Sequence, residues 1–219
     1  MTKNQSNYIK LIAIIAMLID HTGSILFPQQ ILFRIIGRAA FPLFAFQLGI
    51  GYEHTQSFPK YFLRIFIFGV GVQLLYAASI FFFGIDENPL DLNIFFTLTL
   101  GLLAIGFFDT RKYTHLIPVF AIPLMAGYFG INLDYGIYGI AMILLLFITR
   151  NRPLLLIAAY AMLNLAYYCV TQNFLQPFCL VAALFIVHPL NLKIRIPGYI
   201  FYLFYPVHLA ILYAVSKFV

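Results

Sequence analysis

Charge is scarce in this sequence: 9% of its 219 residues are Asp, Glu, Lys or Arg, where an ordinary soluble domain carries about 25%. A water-soluble surface cannot be assembled from so few charges. Long polar stretches are missing too. Apolar runs such as LIAIIAMLI, FLRIFIFGVGVQLLY and GIAMILLLFI follow one another from residue 8 to the end, and the gaps between them are too short to fold outside a bilayer. The chain therefore reads as one transmembrane domain over residues 1–219.

Other absences narrow the reading. No small-residue cleavage site follows the first apolar run, Leu11 to Ile19; Asp20 and His21 follow it instead, so a retained helix is expected rather than a signal peptide. The two cysteines, Cys169 and Cys179, lie in apolar surroundings without metal-ligand spacing, so both are expected to be core thiols and no metal is expected. The formal charge is +6, but no long basic stretch interleaved with aromatics exists to track a phosphate backbone, and nucleic acid is not an expected partner. Neither an internal repeat nor a low-complexity linker is present.

What remains is an all-α, polytopic helix bundle. Helix candidates are 8–27, 31–52, 60–83, 93–108, 114–130, 136–149, 153–171, 174–188 and 198–217, about nine short membrane spans, several at or below the usual length of about 20 residues. Lys and Arg alternate between the gaps. Lys3 and Lys10, Lys60 and Arg64, Arg111 and Lys112, Arg150 and Arg152, and Lys193 and Arg195 mark one side, while gaps 28–30, 84–92, 131–135 and 172–173 contain none. Cytoplasmic loops carry the excess of Lys and Arg, so the N terminus is cytoplasmic and the C terminus exterior, with Lys217 the one exception in the tails. The gap GIDENPLDL, with Asp86, Glu87 and Asp91, then faces the exterior, as does Asp134.

This topology leaves Asp20, Arg34 and Arg38 inside helices, where an ionisable group costs about 2.5–3.5 kcal/mol on insertion scales and needs a partner or a water-filled cavity. Asp20 lies nine residues before the centre of the FPQQ turn and Arg38 nine after it, which places them at one depth. An Asp20–Arg38 pair is the simplest expectation, with Gly37 allowing close helix approach, and it can be structural only. Arg34 is one turn from Arg38, so a positive surplus remains for an anionic ligand. His21 adjoins Asp20, but helix neighbours point about 100° apart, which argues against an Asp20–His21 dyad. His208 lies at a similar depth and is the candidate neighbour for His21, although a membrane histidine can equally be a satisfied core residue. Asn93 and Thr97, one turn apart on the exterior half, serve either a ligand or the backbone.

These residues also carry a resemblance. The segments IAIIAMLIDHTG (Ile12–Gly23), FRIIGRAAFPLFAFQLGIGYEHT (Phe33–Thr55), KYFLRIFIF (Lys60–Phe68), NIFFTLTLGLL (Asn93–Leu103) and FYPVHLAIL (Phe204–Leu212) resemble, in order and over nearly the full chain, the TraX family of membrane proteins. FYPVH is also similar to a segment of other membrane acyltransferases. The resemblance implies acyl transfer: the family's namesake acetylates the N-terminal amine of conjugative pilin, and related enzymes move acetyl groups from cytoplasmic acetyl-CoA across the bilayer. It implies a multi-pass protein of the bacterial cytoplasmic membrane and an acceptor that is a membrane-associated protein or envelope glycan.

Acyl transfer needs a base, an oxyanion stabiliser and a hold on the thioester. His21 is the first choice for base, His208 the second, with Asp20 and Arg38 as electrostatic support and Arg34 or Arg38 facing the developing anion. Asn93, Thr97, Asp134 and Tyr205 are candidate substrate contacts. Arg64, Arg150 and Arg152 are candidate contacts to the CoA phosphates, or topological charges only. A small proton- or anion-coupled transporter and an assembly scaffold are the competing readings. Cysteine labelling from outside whole cells tests the topology: Asn88→Cys should label, and Thr110→Cys and Asn151→Cys should not, whereas the reverse pattern would invert the orientation.

Overall fold

The computed structural model describes residues 1–83, 88–194 and 197–218, so Asp86, Glu87 and Arg195 lie outside the described residues. The α-helices are α1 (Lys3–Ile25), α2 (Ile31–Gly37), α3 (Ala40–His54), α4 (Phe58–Phe83), α5 (Ile94–Asp109), α6 (Leu116–Tyr128), α7 (Gly136–Thr149), α8 (Pro153–Thr171), α9 (Ala182–Val187) and α10 (Gly198–Val215). Short 3-10 turns at Tyr113–His115 and Gln176–Val181 precede α6 and α9. No strand forms among the described residues beyond one parallel bridge, Leu92 to Leu133. All nine expected helical stretches are present, and the protein is a helical membrane bundle. Among the described residues four spans, Lys3–Ile25, Ile31–His54, Phe58–Phe82 and Pro153–Thr171, are long and apolar enough to cross a bilayer.

Three differences from the sequence pattern have local causes. The first helix begins at Lys3 rather than residue 8, because Thr2 and Gln5 form a capping box that satisfies free N–H groups of the first turn. Lys10 is thus inside α1 rather than ahead of it. The stretch 31–52 is two helices, interrupted at Arg38 and Ala39; Arg38 caps α2 and its N–H is shared among the carbonyls of Arg34, Ile35 and Ile36. The stretch 174–188 opens as a 3-10 turn before it becomes α9.

The chain divides into two compact units, Met1–Gln47 with Thr149–Val219, and Leu48–Ile148. In the first, α1 and α2 form a hairpin whose contact depends on glycine. A Cβ added at Gly23 would overlap Phe33, and one added at Gly37 would overlap the Asp20 carboxylate. Small residues at such points let membrane helices approach until backbones nearly touch. The base of the unit is tied by side chains reaching backbone carbonyls. Asn7 Nδ2 donates to the carbonyl of Ile194 at 2.8 Å, and Gln5 Nε2 to that of Pro189 at 3.3 Å. Ser6 donates to Gln47 Oε1 at 2.7 Å. Tyr160 donates to the carbonyl of Cys179 at 2.8 Å, and the Cys179 thiol to Asn164 Oδ1 at 2.9 Å. Cys179 is buried as expected. Cys169 is not a core thiol but an exposed one on α8, a helix whose apolar surface is mostly exposed.

In the second unit, Ala104, Val119 and Ile140 pack as a core between α5, α6 and α7. Asn93 caps α5, accepting from the N–H of Phe95 and donating to the carbonyl of Gly69 and to Gln73 Oε1. Asp91 Oδ1 accepts from the N–H of Asn132 at 2.8 Å and clamps the loop ahead of α7. Replacing Gly37 by alanine should force α1 and α2 apart and cost about 1–3 kcal/mol, the usual range for overpacking; a thermal melt in detergent that matches the parent would show that the hairpin tolerates a Cβ there.

Candidate functional site

The intramembrane charges of the first unit converge on the α1–α2 hairpin. Asp20 Oδ2 accepts from Arg34 Nη1 at 2.7 Å, and the same nitrogen reaches the Asp20 carbonyl at 3.3 Å. Arg38 Nη2 is 3.8 Å from Asp20 Oδ1. The expected Asp20–Arg38 pair is present at 3.8 Å, and Arg34 joins it as the closer partner. The reason is the face. The α2 residue opposite Asp20 is Gly37, and Arg34, three residues earlier, shares its side, whereas Arg38 is turned about 100° away. Arg38 Nη1 instead donates to Gln176 Oε1 at 3.4 Å.

This arrangement leaves two buried polar atoms without a hydrogen-bond partner, Arg38 Nε and Asp20 Oδ1. Two guanidiniums against one carboxylate carry a net positive charge. Because Arg34 already holds the carboxylate, the uncommitted donor belongs to Arg38, beside the helix interruption. A developing oxyanion is stabilised by a preorganised donor of this kind in a water-poor site.

His21 points away from that cluster, as helix geometry requires. Its Nδ1 is 2.7 Å from Nε2 of His208 on α10, the ring planes 22° apart and the centroids 4.9 Å apart, so the rings meet edge to edge through these nitrogens. His208 is 5% exposed, and its Nδ1 lies 2.5 Å from the carbonyl of Phe204 one turn back. Tyr205 sets its ring edge-on to both histidines, at 6.0 Å from His21 and 5.9 Å from His208. The expected His21–His208 neighbourhood is present. Asp20, His21, Arg34, Arg38, Tyr205 and His208 thus all belong to the first unit.

The other candidates lie elsewhere. Asn93, Thr97 and Asp134 belong to the second unit. There the polar atoms of Asn93 serve backbone and Gln73, and the Thr97 hydroxyl donates to the carbonyl of Asp134, so these groups are engaged within the fold. Arg64 sits over the Tyr61 ring at 5.2 Å; Arg152 caps α8 from an exposed position, and Arg150 is half-buried on the same connection. Gln176 escaped the sequence reading although it is 3% exposed and holds Arg38. The signal that could have found it is the one that marked Asp20: a polar side chain in an apolar run, here FLQPFCLV.

A protein-family model described as "TraX protein" matches residues 5–216. The chain belongs to the TraX family. Among curated proteins, the TraX-family chain is 31% identical to the "Probable fimbrial assembly protein FimC, serogroup H1" of Dichelobacter nodosus, over 96% of this chain and 95% of that one. It is 34% identical to the "Uncharacterized protein RP591" of Rickettsia prowazekii (strain Madrid E), over 68% of this chain and 59% of that one. No solved structure matches.

The two arginines separate by experiment. Arg34→Gln removes the 2.7 Å partner of Asp20 and should lower stability by about 1.5–3 kcal/mol, the range for a hydrogen bond to a charged group. Arg38→Gln should lower it less. Equal shifts in thermal unfolding of the detergent-solubilised protein would mean that the two guanidiniums share the carboxylate.

Proposed function

We propose that this protein is a membrane-bound acetyltransferase that takes an acetyl group from cytoplasmic acetyl-CoA and delivers it to an amine or hydroxyl at the exterior face. The observation that carries the reading is the pairing of His21 with His208 in the same unit as an under-committed guanidinium, Arg38. A base and an anion stabiliser are the two groups that acyl transfer from a thioester requires. Membership of the TraX family supports the same reaction class, and the name of the Dichelobacter nodosus relative, a probable fimbrial assembly protein, supports an acceptor such as a pilin N terminus. An envelope glycan hydroxyl has the same nucleophilic chemistry.

In this scheme His21 takes the proton from the acceptor as its nitrogen or oxygen attacks the thioester carbonyl. Negative charge gathers on the carbonyl oxygen, and the net positive charge of Arg34 and Arg38 against the one Asp20 carboxylate stabilises it through the low-dielectric interior. Collapse of the tetrahedral intermediate expels the CoA thiolate, which takes the proton back from His21. Arg150 and Arg152, on the connection ahead of α8 in the first unit, are contacts for the CoA phosphates from the cytoplasmic side of a bacterial cytoplasmic membrane. Tyr205, packed against both histidines, lines the place where acceptor and thioester meet.

A second reading has one observation in its favour. The interruption between α2 and α3 at a charged residue, Arg38, is the kind of helix break on which membrane transporters build ion sites.

Purified protein, radiolabelled acetyl-CoA and a peptide with a free N-terminal amine distinguish the two. The acetyltransferase should label the peptide, and His21→Ala should lower the rate by about 100-fold or more with little loss of folded yield. A folded His21→Ala protein working at the parental rate would remove His21 from the mechanism. Absence of transfer to amine and hydroxyl acceptors alike, together with acetyl-independent anion or proton flux in liposomes, would favour the transporter.

A further inference from the structure

The protons on the two imidazoles can be assigned atom by atom. The Phe204 carbonyl has no proton to give, so in the 2.5 Å contact His208 Nδ1 is the donor. A third cation at this depth, in a hairpin that already holds two guanidiniums, would be costly, so His208 is neutral and its lone pair is on Nε2. That lone pair faces His21 Nδ1 at 2.7 Å, and the proton between them belongs to His21. The lone pair of His21 is then on Nε2, the ring nitrogen that does not face His208.

We infer that His208 is a positioning residue: by accepting from His21 Nδ1 it holds His21 in the Nδ1–H tautomer, so that Nε2 is the one basic nitrogen of the pair. The inference rests on the acetyltransferase reading for its catalytic meaning. It also removes His208 from the role of alternative base, since Nδ1 and Nε2 of that ring are both engaged. The free side chain prefers the opposite tautomer, with the proton on Nε2, and the hydrogen bond at one ring nitrogen decides which nitrogen carries the proton. When Nε2 of His21 receives the acceptor's proton, the Nδ1–H of the resulting imidazolium remains bonded to His208, and no atom has to turn.

The surroundings are built to hold this orientation. The Phe204 ring stacks on His208 with centroids 4.6 Å apart and planes 13° from parallel, so one residue fixes the ring by its side chain and the ring proton by its carbonyl. Tyr205 packs edge-on against both imidazoles. A carboxylate is the usual partner of a catalytic histidine, but Asp20, the nearest in sequence, is turned to α2 and held by Arg34.

Two near-isosteric replacements separate positioning from packing. Glutamine at 208 can place its oxygen where Nε2 stands; asparagine is one carbon short and reaches only the place of Nδ1. In full-length protein labelled with 15N-histidine, the ring-nitrogen shifts of His21, assigned by their loss in His21→Ala, should report Nδ1–H in the parent and in His208→Gln. They should report Nε2–H in His208→Asn and His208→Leu. In acetyl transfer to the peptide amine, kcat should fall about 10–100-fold in His208→Asn and His208→Leu with KM unchanged, and by no more than about 3-fold in His208→Gln. An Nε2–H tautomer of His21 in the parent would overturn the inference, as would equal kcat values for the Gln and Asn variants. If the parent itself transfers no acetyl group, the acetyltransferase reading fails, and the nitrogen shifts still decide whether His208 sets the tautomer.

Discussion

The close approach of α1 and α2 is the constraint on which the polar centre depends. Gly23 and Gly37 remove the two Cβ atoms that would hold the helices apart, and the carboxylate of Asp20 occupies the space that a side chain at Gly37 would fill. A charge taken out of water needs a counter-charge within a few ångströms, and the hairpin supplies Arg34 at 2.7 Å. Everything else in the site follows from that placement. With Asp20 turned toward α2, the next residue on α1, His21, is rotated away and meets α10. With Arg34 committed, Arg38 is left to Gln176 at 3.4 Å with its Nε unbonded.

The result is a division of labour between two faces of one helix. One face of α1 carries an ion pair that neutralises a buried acid; the other carries an imidazole whose orientation is set by a second imidazole and a backbone carbonyl. A neutral relay suits a membrane interior, because a full charge behind the base would need its own desolvation to be offset. The interruption at Arg38 and Ala39 adds to this, since non-helical backbone at membrane depth is tolerated where it is buried in protein or lines a cavity. The second unit has no comparable uncommitted group among the candidates named from its sequence. Asn93 and Thr97 serve helix caps and backbone there.

The fold was legible because the bilayer permits so few solutions. With 63% of residues hydrophobic, helices are the means of satisfying the backbone, and the nine apolar stretches became helical segments. The boundaries that shifted are those set by specific chemistry rather than hydropathy: the Thr2–Gln5 capping box, the interruption at Arg38, and the 3-10 turn at Gln176. Cys169 and Cys179 show the limit of composition. Both lie in apolar sequence, and only the packing of α8 leaves one exposed and buries the other.

The sequence by itself determined the helical membrane architecture, the family through IDHTG, GRAAFPLFAF and FYPVH, and the residues that cannot be indifferent, Asp20, His21, Arg34, Arg38 and His208, because each is polar where the solvent is hydrocarbon. Helical rotation also told that Asp20 and His21 would part. Which guanidinium takes the carboxylate, which nitrogens of the two histidines meet, and that Gln176 holds Arg38 were decided only by tertiary structure. Those choices turn on differences of about one ångström between elements as many as 187 residues apart in sequence, and rise per residue and periodicity define depth and face but not the distance across a contact.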